Sequence, residues 1–440
     1  MSKSSSSTLL QNLIKLSEPL KESLSITPYT PPEANANISI KSKIQSLFPD
    51  PSITGPEIGT TIRDFALCCA ALASALNSTT QHLSWIPNSI SLYAISLFKE
   101  FANAYYDDLM HANCLMKVGE ELELDLSGVV ESEKKLVIEL MPDILPLLKC
   151  NIKESAIDTS DEGDGVSAAS ARVPVAYAIL AAYQFRWLFS QVDAPYIGKL
   201  CPLVIPCALT TLDHWSPAVK GQGMISFIYL AKNVNAAEIG GYTDVILDAC
   251  CQNIACDDEI WHYVVEMSVL LVTLTQQSNP RSSWYEKLLN EMLNHLERQP
   301  RNKQRRTAWL THIEPLFNGL GLILVAHFRC LFPLFFKWMH ADDDETVLLV
   351  LERMITVVRL TWIRNSPYIE RLVDELVTLY KDAALKVGRK DIRSLILQIL
   401  TLIRMSRGSQ FDASWVKYKD DPNLTALQLS SIEGNPPMVA

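Results

Sequence analysis

Neither GxxxxGK[ST] nor GxGxxG occurs in this sequence, and HExxH, GxSxG and the kinase signatures are missing as well. These patterns cradle phosphates on backbone N–H groups, set two imidazoles on one zinc ion, or present a serine on a strained elbow. Without them, the usual sequence-legible routes to nucleotide, metalloprotease and hydrolase chemistry are closed. Glycine is scarce, at 16 of 440 residues, and proline stands at 23, too few for a fibrous or disordered chain. The same scarcity argues against an all-β fold, which needs many glycine-marked turns. Positive charge is also short: the net charge is −10. A chain built to cover nucleic acid or an anionic membrane is normally basic.

Ten cysteines are present, but none forms a CxxC pair. Cys250, Cys251 and Cys256, with His262 following, are the densest group, and they lack the paired spacing of a tetrahedral zinc site. We read the cysteines as reduced, buried thiols. The Ser-rich start, Ser4 to Ser7, has no apolar run of the signal-peptide kind. Leu316 to Phe336 imitates a membrane span but carries Asn318, Gly319, Gly321, His327, Arg329 and Pro333. An arginine near the middle of a membrane helix costs several kcal/mol. Two short buried helices, parted near Ala326 to Arg329, fit the same residues at less cost.

What the sequence does have is apolar residues, 48% of the chain, at helical spacing. Leu9, Leu13, Leu16, Leu20 and Leu24 mark a first amphipathic helix. Residues 1–60 read as that helix and a Pro-rich linker with a short helix near Ile40 to Leu47, and 61–150 as N-terminal helical repeats. The acidic stretch 151–170, with Asp158, Asp161, Glu162 and Asp164, reads as a disordered loop. Residues 171–408 read as HEAT-like repeats and 409–440 as a C-terminal tail. Repeats open near Lys199, Tyr242, Tyr285, Arg329 and Tyr368. A period of roughly 40–47 residues is that of HEAT and armadillo units. The expected fold is therefore all-α, an α-solenoid of HEAT/armadillo-like repeats.

The best-formed unit is Leu200 to Lys232. A first helix with Pro206 leads into Asp213-His214-Trp215-Ser216, and Pro217 opens a second helix. Asp213 and Ser216 are placed to cap that helix, and Pro217 suits its first turn. Gly221 and Gly223 would let the two helices approach closely. His214 reads as a surface or capping residue. Asp342 to Asp344 form a second such turn and cap the helix after it. Two surface features are candidates for contact with protein partners. One is the basic group Arg298, Arg301, Lys303, Arg305 and Arg306, which reads equally as a loop that binds an acidic partner segment or phosphate and as a solvated basic loop. The other is a set of tryptophans, Trp215, Trp261, Trp284, Trp309 and Trp338, most of which we assign to the core. No catalytic, cofactor-binding or metal-binding residue is assigned, and the chain is expected to be a non-enzymatic binding scaffold.

The turn DHWSPAVKGQG within Ile205 to Lys232, the helical-repeat C-terminal half and the chain length resemble the Tel-two-interacting protein two family. These are the smallest subunits of the triple-T (TTT) co-chaperone complex. The resemblance implies a partnership with two larger helical-repeat subunits and with an Hsp90-type chaperone. Through them it would assist maturation of phosphatidylinositol-3-kinase-related kinases in cytoplasm and nucleus. The partners are expected to be proteins, with no nucleic acid and no membrane. A generic armadillo/HEAT adaptor in transport or signalling is the alternative.

Overall fold

The computed structural model describes residues 3–30, 39–49, 58–76, 82–112, 131–155, 174–363 and 367–424. Among them all regular secondary structure is helical. The chain divides into two compact units, residues 1–249 and 250–440.

The first unit holds α1 (Lys3–Ile26), α2 (Ile40–Gln45), α3 (Ile58–Ala73), α4 (Asn88–Ala112), α5 (Ser132–Glu154), α6 (Val175–Phe189), α7 (Tyr196–Leu212), α8 (Pro217–Asn233) and the one-turn α9 (Ala236–Ile239). Helix α10 (Thr243–Asn253) carries the boundary. Helices α4, α5 and α7 pack in series as one layer, with α1 against α4, while α3, α6 and α8 form the other. The pairs α5–α6 and α7–α8 join the layers. Leu200, Val204, Ile205, Ala208 and Leu212 put the apolar stripe of α7 into the core. Gly223 of α8 faces it at a crowded point: a Cβ there would lie 3.1 Å from Thr211 Cβ and 3.2 Å from the Leu212 nitrogen. The expected close approach is thus real at Gly223. Gly223→Val should destabilise the first unit by about 1–3 kcal/mol through overpacking. Thermal unfolding will check this, and an unchanged midpoint would show that the helix pair has slack.

The second unit continues with α11 (Trp261–Thr275), α12 (Ser283–Arg298), α13 (Lys303–His312), α14 (Glu314–Leu320), α15 (Phe328–Met339), α16 (Asp344–Thr361), α17 (Ile369–Ala384) and α18 (Lys390–Trp415). Helices α12, α15 and α17 stack in one layer; α11, α13 with α14, α16 and α18 stack in the other. Each amphipathic pair leaves an apolar face that only the next pair covers, which is the physical basis of a solenoid. The first helices of the repeats begin at Tyr196, Thr243, Ser283, Phe328 and Ile369. These lie within a few residues of the openings read from the sequence. The all-α solenoid stands.

Three boundaries are corrected. Helix α5 runs on through Asn151–Glu154, and Ile152 and Ser155 are buried, so the expected loop starts later. The apolar Ile152 at helical spacing keeps that turn in the core. The rest of that loop, 156–170, lies outside the described residues. The expected tail is helical to Trp415 and folded to Leu424, because Phe411 and Leu424 are buried; residues 425–440 lie outside the described residues.

The stretch Glu314–Met339 is long and apolar enough to cross a membrane by length and composition. It folds instead as α14, a 3-10 segment over Gly321–His327, and α15. The break opens before Ala326, where Gly321 turns the chain at φ +52°, and closes at Phe328, inside the expected stretch.

Candidate functional site

The turns between the paired helices of the second unit are tied to one another by charge. Asn302 caps α13 by accepting the Arg305 N–H, and its amide donates to Asp258 at 2.8 Å. Arg305 Nε donates to Asp258 Oδ1 at 2.5 Å and its Nη2 to the Cys256 carbonyl at 2.8 Å. The guanidinium also lies over the Trp261 ring, 4.6 Å from its centroid, and Trp261 Nε1 returns a hydrogen bond to the Arg305 carbonyl. One turn further on, Arg306 Nη2 donates to Asp343 Oδ2 at 2.5 Å and its Nε to the Thr346 hydroxyl. In the third step Arg389 pairs with Asp344 at 2.6 Å. The three ion pairs each cross from one repeat to the next, so the turns form an ordered row.

Electrostatics follow from this placement. Asp343 is partly buried, which works against its charge. The Thr346 hydroxyl and N–H, with Arg306, overcome that and hold the pKa of its carboxyl at about 2. Its stabilisation is therefore present above the ordinary carboxylate range and disappears as pH falls toward 2.

The five basic residues singled out in the sequence do not act as one loop. Arg305 and Arg306 lie in the first turn of α13, and their side chains are only 7% and 13% exposed. Lys303 is exposed but reaches Asp343 and Glu345. Arg298, at the end of α12, and Arg301 remain exposed without an ion pair to a described residue. The sequence does not disclose the carboxylates that claim the others, because those partners are 37 and 47 residues away. The available signal is an alternation along the row: acids at Asp258 and at Asp343–Asp344, arginines in the turns between and after them.

In the first unit the His214 turn has a serine–histidine contact of the length seen in hydrolases. Ser155 Oγ lies 2.8 Å from His214 Nε2. The remaining bonds decide its meaning. His214 Nδ1 accepts the Ser216 N–H at 3.0 Å, so the ring proton is on Nε2 and is donated to Ser155. Ser155 in turn donates to the Ile152 carbonyl. An imidazole that donates to the serine cannot take its proton, and both residues are fully buried. This is a structural tie from the turn to the end of α5, strengthened by Trp215 Nε1 donating to the Ser155 carbonyl. His214 is thus a buried cap and not a surface residue. Neither the Asp213 nor the Ser216 side chain caps α8; the Ser216 N–H is met by the imidazole.

Burial pulls the His214 pKa down to about 4 from its ordinary 6.5. The unfolded chain then binds the extra proton between those values, so stability falls as pH drops from 6.5 to 4, by up to about 3 kcal/mol. His214→Gln, which keeps a donor at the same place, should flatten that pH dependence. Hydrogen exchange of α5 and α7 amides across this window measures it, and an equal slope in both proteins would refute it.

The other candidates resolve simply. Trp261, Trp309 and Trp338 are fully buried, in line with their expected place in the core, whereas Trp215 is 51% exposed. Burial pushes the Cys250 thiol up to about 12, which keeps it protonated and unsuited to a metal. Among the described residues no cluster of His, Cys, Asp and Glu is placed to hold an ion. A hollow of about 440 Å³ in the first unit is lined by Lys43, Asp64, Asn151, Tyr177 and Gln184 among others. The Gln184 amide is already fixed to the Leu67 carbonyl.

No family model matches the chain. Over 424 residues it is 54% identical to the uncharacterized Arabidopsis thaliana protein At2g39910, covering 96% of this chain and 95% of that one. Among solved structures, an engineered protein aligns over 96% of this chain and 98% of its own, with TM-score 0.39 and 10% identity. Kap121p aligns over 99% of this chain with TM-score 0.35 and 12% identity; this chain spans 48% of it. Kap121p bound to Ste12p gives TM-score 0.33.

Proposed function

The chain belongs to the family of the Arabidopsis thaliana protein At2g39910, and we propose that it is a non-enzymatic scaffold that holds other proteins. The observation that carries this reading is the serial stacking of helix pairs in the second unit, with its turns locked in a row by Asp258–Arg305, Arg306–Asp343 and Asp344–Arg389. Such an array exposes a long run of helix ends and turns whose spacing is fixed, and this suits extended contact with another chain. The exposed Arg298 and Arg301 stand in the second turn of this row, between the Asp258 and Asp343 turns, as contacts for an acidic partner segment.

The finer reading is a subunit of the triple-T co-chaperone complex. Its support is the DHWSPAVKGQG turn, which joins α7 to α8 in the manner of a two-helix repeat, and the resemblance that this turn carries. In that role it would sit with two larger helical-repeat subunits in cytoplasm and nucleus and help an Hsp90-type chaperone mature phosphatidylinositol-3-kinase-related kinases. Affinity purification of the tagged full chain should recover two large helical-repeat proteins in near-equal amounts, with kinase and chaperone below them. Recovery of nuclear-transport GTPases without those subunits would move the assignment to a transport adaptor.

A further inference from the structure

One edge of the second unit leaves large apolar side chains in water at the same place in three successive repeats. Leu322, Trp362 and Met405 are exposed by 50%, 55% and 57%. Their separation of about 40 residues is the repeat period. Helix register aligns them. Glu314, at the start of α14, pairs with Arg353 and Thr356 of α16, and Leu322 and Trp362 follow these partners by similar lengths of chain. The Trp362 carbonyl accepts a hydrogen bond from Arg407 Nε at 3.2 Å, which sets the Met405 turn of α18 beside it. Leu322 and Trp362 follow the C-terminal ends of α14 and α16, and Met405 precedes the kink of α18 at Arg407, away from the row of charged turns.

The backbone holds the tryptophan there at a cost. Trp362 and Ile363 are both left-handed, at φ +52° and +43°. Glycine is the usual residue where a helix ends this way, and a bulky or β-branched side chain is strained. Ile363 recovers something by being fully buried, but the Trp362 ring returns little to the fold while it stands in water. An exposed residue kept in a strained backbone is a mark of function, and tryptophan leads the residues that dominate binding energy.

Charge indicates what would cover it. Arg359 is exposed on the same edge, and Arg407 follows Met405. In a chain of net charge −10 this edge is locally basic. We infer that it docks an acidic segment of a partner protein whose large apolar side chains cover Leu322, Trp362 and Met405. A nucleic acid fits less well, because two of the three anchors are aliphatic and give bases nothing to stack on. The inference rests on the scaffold reading and names its docking edge.

A random 16-residue peptide library displayed on phage, selected on the full chain, tests it. The expected winners pair Asp or Glu with Leu, Phe or Trp and bind at least 10-fold weaker to Trp362→Gly by fluorescence anisotropy. That substitution removes the ring at a backbone angle glycine prefers, so the melting temperature should hold or rise. Met405→Ser and Arg359→Glu should each weaken the same peptides several-fold, and added salt should weaken them further. Winners that bind Trp362→Gly as tightly, winners without acidic residues, no winners at all, or a single-stranded oligouridine that competes with them would each overturn the docking edge. Co-purification with two large subunits but no such peptides would overturn the edge alone. Peptides that depend on Trp362, with no large subunits recovered, would overturn the co-chaperone assignment and leave the edge standing.

Discussion

Trp309→Ala should lower the stability of the second unit by about 3–5 kcal/mol. The ring is fully buried at the meeting point of two repeats, packed edge-on to Phe317 and Trp338 at centroid distances of 5.7 and 5.9 Å, with Phe335 at 6.3 Å. Alanine would leave a cavity bounded by α14 and α15, whose aromatic side chains cannot collapse into it without moving backbone. Trp309→Phe is the informative control. The buried indole N–H has no hydrogen-bond partner, so phenylalanine discards an unsatisfied donor along with part of the ring. It should cost less than half as much as alanine. Denaturant unfolding followed by helical circular dichroism measures both. If the alanine variant lost under about 1 kcal/mol, this aromatic cluster would not be the centre of the unit.

Arg305→Ala should cost less, about 2–3 kcal/mol. The guanidinium is nearly buried and serves Asp258, the Cys256 carbonyl and the Trp261 face together, so its loss strands a carbonyl and uncovers a ring. The value sits below that of a fully buried pair because the Asp258 carboxylate is 46% exposed and water takes over part of the lost contact. Arg305→Lys should be nearly as damaging, since an ammonium cannot span the two acceptors and lie flat on the indole. A double-mutant cycle with Asp258→Ala should give a coupling of about 1 kcal/mol. A coupling near zero would mean that Arg305 acts through packing alone. By contrast Lys303→Ala, at an exposed side chain, should leave the unfolding midpoint where it was.

These two residues show how differently a sequence exposes its contents. Trp309 is legible as core, because burying a large ring follows from composition and helical spacing alone. Arg305 reads as part of a solvated basic loop, since five basic groups around Pro300 look alike until their partners are in place. His214 behaves in the same way: its turn is legible, but its burial depends on Ser155, 59 residues earlier. Trp362 carries no signal at all. Nothing in its neighbours announces a left-handed tryptophan, and its significance lies in being left uncovered.

Local information is enough to specify the helices, their pairing and their period, because amphipathic spacing and turn residues act within one repeat and need nothing beyond it. The same information marks which large side chains must leave water. Which charges neutralise one another, which turn residue is buried and which apolar side chains remain outside are settled only by the packed arrangement. Those outcomes depend on which repeat stacks on which, and therefore on groups some 40 residues apart that no local pattern can pair.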